Sequence, residues 1–144
     1  MPLPAPRPNL VIRYAYLWHV AHLRGQEEGS KDRPCVIVLT TPAAEGQTLV
    51  TVLPITHTPP GDPEVAVEIP LATKRRLGLD FEKSWVICSE VNRFVWPGPD
   101  LRPIPGRFGD VVYGDLPYRL FEQIKQRVLQ LYAARRLRAV ARTQ

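Results

Sequence analysis

Two short segments of this sequence place polar side chains directly beside apolar runs. Residues 28–34 (EGSKDRP) lead into the run CVIVL, and residues 53–57 (LPITH) end another run. The guanidinium of Arg33 can fork two donors onto phosphate oxygens, the hydroxyl of Thr56 can position such an oxygen, and His57 can exchange protons near neutral pH. Polar groups held at the ends of buried strands are presented by a rigid scaffold, which favours a binding or catalytic site.

The sequence lacks the signatures of several other chemistries. It has no glycine-rich phosphate loop and no GxSxG nucleophile motif. His19 and His22 form an HxxH pair, but no carboxylate or cysteine stands close enough in sequence to complete a metal site. We therefore expect neither a metal nor another cofactor.

Composition indicates one β-rich domain. The chain has 144 residues, of which 44% are hydrophobic, enough for a core without disulfides or metals. Its 16 prolines favour strands and loops over a helical bundle. Cys35 and Cys88 lie inside apolar runs, so we expect buried, reduced thiols. A net charge of +5 suits a nucleic acid or an acidic peptide, and it equally suits a solvated basic surface.

The ends of the chain differ in composition from its middle. Residues 1–9 are proline-rich and are interpreted as a disordered lead, residues 10–136 as a single domain, and residues 137–144 as a basic tail. We find no signal peptide and no apolar run long enough to span a membrane, so we expect a cytoplasmic protein without a membrane partner.

Apolar periodicity predicts a series of strands. In residues 11–18, Ile12, Tyr14, Tyr16 and Trp18 fall on one face, so His19 should point away from the core. Residues 24–32 are expected to form a mobile loop, and residues 92–110, rich in Pro and Gly, to be irregular. The further predicted elements are strands at 35–40, 48–56, 64–69 and 84–91, with a short helix within 71–80.

The period changes near the C-terminus. Asp115 is a suitable N-cap, and the apolar stripe Leu120, Ile124, Val128, Leu131 predicts an amphipathic helix from about Asp115 to about Arg136. The pattern as a whole predicts a bent, antiparallel sheet of five to seven strands with a C-terminal helix.

The order of these motifs resembles the MazF/PemK growth-inhibitor toxins over roughly residues 10–132. Members of that family carry a polar loop ending in Arg-Pro, an apolar strand, a strand ending in Pro-Ile-Thr or Pro-Val-Thr, a strand with Cys-Asp-Gln, and a C-terminal helix. The matching motifs here are Arg33-Pro34, Pro54-Ile55-Thr56 and Cys88-Ser89-Glu90.

This resemblance implies a mainly β (α+β) fold, an SH3-like barrel of bent antiparallel strands with a C-terminal amphipathic helix. It also implies a homodimer that cleaves single-stranded RNA at short sequences without a metal, as the toxin of a toxin–antitoxin system. An antitoxin with an acidic C-terminal segment, and DNA bound through the antitoxin complex, are the further partners that it implies.

Arg33 matches the catalytic arginine of the family, and Thr56 matches the catalytic threonine. When a 2′-hydroxyl attacks the adjacent phosphorus, Arg33 is suited to stabilise the anionic phosphorane and Thr56 to position an oxygen. The general base stays open among His57, Glu28 and Glu90. His57 follows Thr56 directly, and neighbours on an extended strand point to opposite faces.

Six residues are candidates for RNA contact, namely Glu28, Ser30, Lys31, Ser89, Arg93 and Trp96. In the family the strand continues as Cys-Asp-Gln-x-Arg; its aspartate is Ser89 here, and its arginine stands one position later, at Arg93. Trp96 is suited either to stacking on a base or to plugging the sheet.

Each assignment has a structural alternative. Arg33 can pair with Glu28 or Asp32 on the surface, and Thr56 is an ordinary strand former. The competing functions are a non-catalytic module of the same fold, binding DNA or a protein such as gyrase, and a toxin that has lost its activity.

Overall fold

Strands dominate the fold, as the apolar runs predict. The chain is described by a computed structural model over residues 3–25, 31–80 and 82–142. Within these ranges the strands, in chain order, are β1 (Leu10–Tyr16), β2 (Lys31–Pro42), β3 (Thr48–Thr56), β4 (Ala66–Glu68), β5 (Trp85–Ile87), β6 (Glu90–Val95), β7 (Val112–Asp115) and β8 (Arg138–Ala141).

Three helices and two short 3₁₀ turns complete the described part of the chain. None of these helices combines the length and the apolar character that crossing a membrane requires. The helices are α1 (His19–Leu23), α2 (Leu71–Leu77) and α3 (Tyr118–Ala133), and the 3₁₀ turns are Ala44–Gly46 and Pro63–Val65.

The strands form one curled, barrel-like sheet in which β3 is the branch point. Strand β2 pairs along one side of β3. On the other side, the first half of β3 pairs with β6 and its last two residues pair with β5. The path runs β4-β5-β3-β2-β1-β7, with β6 beside β3 and β8 beside β6. Because two strands share one side of β3, the sheet curls there, and this mainly β fold with its C-terminal helix confirms the expected class.

Two apolar clusters lie on opposite faces of the long strands, as the alternation of side chains along a strand requires. The larger cluster joins residues such as Val36 and Ile55 to Leu120 and Ile124 of α3. The smaller cluster contains Ile12, Tyr14 and Tyr16 of β1 together with their neighbours on β2, β3 and β6. Strands β1–β3 are therefore buried on both faces, which explains their nearly continuous apolar sequences.

Several elements lie where the sequence predicts them. Strand β3 has the predicted bounds Thr48–Thr56, and α2 lies within the segment proposed for a short helix. Leu120, Ile124 and Leu131 are buried along one stripe of α3.

The start of α3 corrects one expectation. Asp115 is not its N-cap, because it ends β7 and its carboxylate binds Arg7 at 2.8 Å. The helix instead begins at Tyr118, after Pro117, without a side-chain cap.

The predicted single strand over residues 84–91 is two strands. β5 ends at Ile87 and β6 begins at Glu90, because the two pair with different parts of β3. The second of these strands extends to Val95, into the segment that was expected to be irregular. The eight strands of the described ranges therefore exceed the expected five to seven.

The interpretation of residues 137–144 as a basic tail differs from the structure over most of that segment. Residues 138–141 form β8, which pairs in parallel with β6. The side chain of Arg142 is buried, donating to the carbonyl of Ala15 at 2.6 Å and pairing with Asp100 at 3.1 Å. A buried, paired guanidinium ties the end of the described chain into the core, and a solvated tail has no such anchor.

The proline-rich lead is also attached to the sheet where it is described. Arg7 pairs with Asp115, and Asn9 donates to the carbonyl of Leu116 at 2.8 Å. The mobile loop expected at 24–32 lies mostly outside the described residues, since only its first two and last two positions are described.

Candidate active site

The start of β2 and the end of β3 bring Arg33 and Thr56 onto one face of the sheet. Cys35 pairs with Pro54 across these antiparallel strands. Arg33 lies two residues before Cys35, and Thr56 lies two residues after Pro54. The antiparallel register therefore places them opposite each other, with their side chains on the same face of the sheet. The sequence separates them by more than twenty positions, and the strand pairing joins them.

The side chain of Arg33 is buried, with only 8% of its surface exposed. It donates from Nη1 to the carbonyl of Ile55 at 3.3 Å, and its guanidinium lies over the ring of Trp18, 5.1 Å from the centroid. Burial lowers the pKa of Arg33. The surface pair with Asp32 that sequence allows is absent, because Asp32 lies 3.4 Å from Arg102 instead.

One donor of this guanidinium is left without a partner. Nε of Arg33 is buried and makes no hydrogen bond to any residue that the structure describes. Nδ1 of His19 is also buried and has no hydrogen-bond partner among the described residues. Buried polar groups without partners are rare in folded proteins, and they call for a ligand, a water or a functional reason.

Thr56 lies beside this group at the end of β3. Its side chain is almost completely buried, and its hydroxyl accepts a hydrogen bond from the backbone N–H of Thr58 at 3.2 Å. That bond leaves the hydroxyl hydrogen available to an acceptor, which suits a residue that positions an oxygen.

Glu90 is held rigidly near the same face. One of its carboxylate oxygens, Oε1, accepts from the hydroxyl of Tyr16 and from the backbone N–H of His19, both at 3.0 Å. Burial raises the pKa of Glu90, although both hydrogen bonds oppose that shift. The ring of Tyr16 meets Trp18 edge to face at 5.2 Å, so a continuous line of contacts joins Glu90 to Arg33.

His57 belongs to a different cluster, which includes residues of the segment after α2. Its Nε2 contacts the carboxylate of Asp80, and its Nδ1 lies 3.2 Å from that of Glu82. The buried ammonium of Lys74 also contacts Asp80, and it donates to the hydroxyl of Ser84 at 2.6 Å. Both imidazole nitrogens are therefore engaged by carboxylates.

The ligand atoms of His57, Asp80 and Glu82 lie within 4.8 Å of one another, as in a metal site. The ammonium of Lys74 already neutralises Asp80, so these residues make a poor fit to a divalent cation, and they fit a structural brace better.

The remaining candidates are dispersed. Lys31 begins β2 and borders the same cleft as Arg33. Ser89 links β5 to β6, and Arg93 lies on the surface beside α3. Trp96 packs on the smaller cluster, 6.2 Å from Phe94 between ring centroids, which is the position of a plug. Glu28 and Ser30 lie outside the described residues.

Three residues near the site have contacts there that the sequence did not predict. The sequence places Trp18 and Tyr16 in the core face of a strand, and their contacts with Arg33 and Glu90 depend on the turn into α1. His19, expected to point away from the core, begins α1, and its backbone N–H binds Glu90.

Both thiols are free and buried, as expected. Burial raises the pKa of Cys35, and it raises that of Cys88 to about 12. These thiols are therefore protonated and unreactive at neutral pH, and they contribute to packing rather than to the chemistry of the site.

Comparison with known proteins identifies one family. Residues 16–94, more than half of the chain, match the model of the PemK-like, MazF-like toxins of type II toxin–antitoxin systems. This segment runs from the end of β1 into β6 and contains Arg33, Thr56 and Glu90. No curated protein matches the chain. The chain thus belongs to the PemK-like, MazF-like toxin family of type II toxin–antitoxin systems.

Proposed function

We propose that this toxin is a metal-independent endoribonuclease that cleaves single-stranded RNA by attack of a 2′-hydroxyl on the adjacent phosphorus. The observation that carries the proposal is the buried guanidinium of Arg33, whose Nε has no partner among the described residues. It lies beside Thr56 at the ends of two strands. A buried, positively charged donor without a partner fits a phosphate oxygen.

In the proposed reaction, Glu90 takes the proton of the 2′-hydroxyl. The 2′ oxygen bonds to phosphorus and the bond to the 5′ oxygen breaks, which leaves a 2′,3′-cyclic phosphate and a 5′-hydroxyl. The 5′ oxygen takes up a proton from water, and Glu90 returns its proton to water, so the protons balance. Arg33 stabilises the phosphorane, and Thr56 orients one of its oxygens.

Glu90 fits the role of base better than the other candidates. Burial raises its pKa toward the range in which a carboxylate accepts a proton efficiently. His57 has both nitrogens occupied by carboxylates. Glu28 lies outside the described residues, so the structure gives no support for its use.

The decisive experiment measures cleavage of a mixed-sequence RNA by the purified protein in excess EDTA. We expect cleavage to proceed, and a deoxynucleotide at the cut site to abolish it, because the nucleophile is then missing. Arg33→Ala should slow cleavage by roughly 10²–10³-fold through the loss of one preorganised donor. Wild-type protein that cuts no RNA would instead favour a non-catalytic binding module or an inactive toxin.

A homodimer is part of the proposal. A groove between α3 and the sheet exposes Leu39, Leu129 and Tyr132, which are 48%, 50% and 67% exposed. Exposed apolar side chains grouped in this way are typical of protein interfaces. We expect Leu129→Asp to convert a dimer into a monomer in analytical ultracentrifugation, and Leu71→Asp, at a similarly exposed leucine of α2, to leave it unchanged.

The antitoxin of this family is the expected protein partner, with DNA bound through their complex. We place the reaction in the cytoplasm, where its RNA substrate lies. Phosphate contacts dominate the affinity of such basic proteins for nucleic acid, so binding of RNA should weaken steeply with added salt.

A further inference from the structure

A cleft of about 320 Å³ opens on the side of β2 and β3 where His57 lies, and it borders Arg33. One wall is residues 31–34, at the start of β2, and another is the segment from Gly78 to Asp80. The proposed chemistry uses Arg33 at one border of this cleft and gives the rest of its lining no role. Its volume is at the lower end of the range for small-molecule sites.

The lining of the cleft has an apolar part and a charged part. Ile55, Leu79 and Ile104 supply aliphatic surface. Arg13 and Lys31 supply positive charge, and neither forms an ion pair with a carboxylate of any described residue, Arg13 donating instead to the hydroxyl of Tyr113 at 3.1 Å. A ligand that satisfies both parts carries a flat apolar group and an anion.

The other charges around the cleft are already balanced. Lys74 is paired with Asp80, His57 contacts Asp80 and Glu82, and Asp32 is paired with Arg102. The cationic side chains of the cleft that no described carboxylate pairs are Arg13, Lys31 and Arg33, so the unpaired charge of its lining is positive.

The walls are held in place before any ligand binds. The backbone N–H of Ile104 donates to the carbonyl of Asp110 at 2.8 Å, and Arg107 donates to the carbonyl of Leu77 at 2.9 Å. The guanidinium of Arg107 also covers the ring of Tyr113, 5.6 Å from its centroid. A preformed cleft binds a ligand without the entropic cost of ordering its walls.

We propose that this cleft binds one nucleotide of the RNA strand, next to the phosphate held by Arg33. The base lies against Ile55, Leu79 and Ile104, and its phosphate faces Arg13 and Lys31. The cleft is then a determinant of sequence preference at one position beside the cut. This inference rests on the proposed function for the identity of the RNA, whereas occupancy of the cleft is measurable without cleavage.

The first test titrates the wild-type protein with the four nucleoside 3′-monophosphates, with inorganic phosphate and with the unphosphorylated nucleosides. Binding is followed by amide chemical shifts. We expect one nucleotide to bind most tightly, with shifts at Leu79 and Ile104, and phosphate alone to bind more weakly. Equal affinity for phosphate and all nucleotides would show that no base enters the cleft and would overturn the proposal.

Substitutions separate the two parts of the site. Ile104→Trp fills the cleft and should weaken nucleotide binding by roughly tenfold or more, as a changed pocket shape does. Gln47→Trp, exposed on a different turn, is the matched control and should bind as wild type. Unchanged binding by a folded Ile104→Trp variant contradicts the proposal.

If Ile104→Trp fails to fold, a second variant tests the charged part of the cleft. Lys31→Ala should weaken binding of the nucleotide by roughly tenfold, the effect of one charge-assisted hydrogen bond, and leave binding of the unphosphorylated nucleoside unchanged. Arg119→Ala, at an exposed basic residue in the first turn of α3, is its control. Equal losses for nucleotide and nucleoside contradict the placement of the phosphate.

Cleavage then distinguishes failure of this inference from failure of the proposed function. Sequencing of cleaved RNA should show that Ile104→Trp loses base preference at one position. If the wild-type protein binds the nucleotide and cuts no RNA, the nucleotide site is supported and the ribonuclease activity is contradicted. If the protein cuts RNA with a base preference that filling the cleft leaves unchanged, the ribonuclease activity is supported and the nucleotide site is contradicted.

Discussion

Two polar clusters flank the strands β2 and β3, and they differ in how completely their charges are paired. Around His57, two carboxylates, an imidazole and a buried ammonium satisfy one another. Around Arg33, one guanidinium donor has no partner among the described residues, and aromatic rings cover the charge. A completed network rigidifies a fold, whereas an incomplete one keeps binding capacity for a ligand.

This difference distinguishes Glu90 from His57, which the sequence alone presents as equal candidates for the general base. Glu90 is a half-buried carboxylate on the incomplete side, and His57 is an exposed imidazole on the completed side. We therefore expect substitutions around Arg33 and Glu90 to change activity, and substitutions around His57 and Lys74 to change stability.

The largest effect is expected for Glu90→Gln. The amide keeps the shape of the side chain but takes no proton, so cleavage should fall by roughly 10²–10⁴-fold. Because burial raises the pKa of Glu90 above its usual 4.5, the wild-type rate should rise with pH through a pKa above that value. The control is Glu68→Gln on the exposed side of β4. A variant that keeps the wild-type rate and pH profile would remove Glu90 from the mechanism.

The raised pKa of Glu90 also determines the direction in which the stability of the protein should change with pH. Folded Glu90 holds its proton to a higher pH than unfolded Glu90, so its favourable contribution is complete below the unfolded pKa and is lost as pH rises through the folded one. Glu90→Gln should therefore gain stability relative to wild type as the pH rises from below the unfolded pKa through the folded one. Urea unfolding at pH values on either side of that range measures the change, and the opposite sign would contradict the partial burial of this carboxyl.

On the completed side, Lys74→Met should lower the free energy of unfolding by about 2–3 kcal/mol. The ammonium is buried, and its removal leaves the hydroxyl of Ser84 without its donor and the carbonyl of Glu82 with only a long hydrogen bond from that hydroxyl, at 3.4 Å. Arg119→Met on the surface is the control, with an expected change within about 0.5 kcal/mol. Denaturant titration decides, and equal stability of the two variants would mean that the network does not brace the fold.

Trp18→Leu tests the aromatic cover of Arg33. A cation–π contact contributes about 0.5–2 kcal/mol, so loss of the ring should slow cleavage by roughly 3- to 30-fold. Trp18→Phe keeps a ring and should restore most of the rate. A positioning role lowers kcat more than it raises KM, and steady-state kinetics separate the two. If the leucine and phenylalanine variants are equally active, the ring does not position the guanidinium.

The smallest effect is expected for His57→Ala. Its contacts with Asp80 and Glu82 are half exposed, and such pairs contribute about 0–1 kcal/mol to stability. Cleavage and its pH profile should stay close to wild type. A loss of roughly 100-fold or more, with one limb of the pH profile flattened, would make His57 the base and reverse the assignment.

The fold could be predicted from sequence wherever the signal is local. The alternation and β-branched residues of Thr48–Thr56 give the bounds of β3, and the spacing of Leu120, Ile124 and Leu131 gives the buried stripe of α3. Residues 138–141 have no local strand signal, because this four-residue segment begins with Arg138 and is followed by Arg142. Pairing with β6 and burial of Val140 make them a strand.

For the candidate site, the sequence by itself determined the chemical types: an arginine at the start of β2, a threonine at the end of β3, and carboxylates and a histidine near them. Which of these act together was decided only by the tertiary structure. Residue types fix what a side chain can donate or accept, but its partners depend on strand register and on the face of the sheet. The register joins Arg33 to Thr56, and the turn into α1 brings Trp18 over the guanidinium and the backbone N–H of His19 to Glu90. His57 follows the end of β3, and its contacts with Asp80 and Glu82 hold it in a different cluster from Thr56.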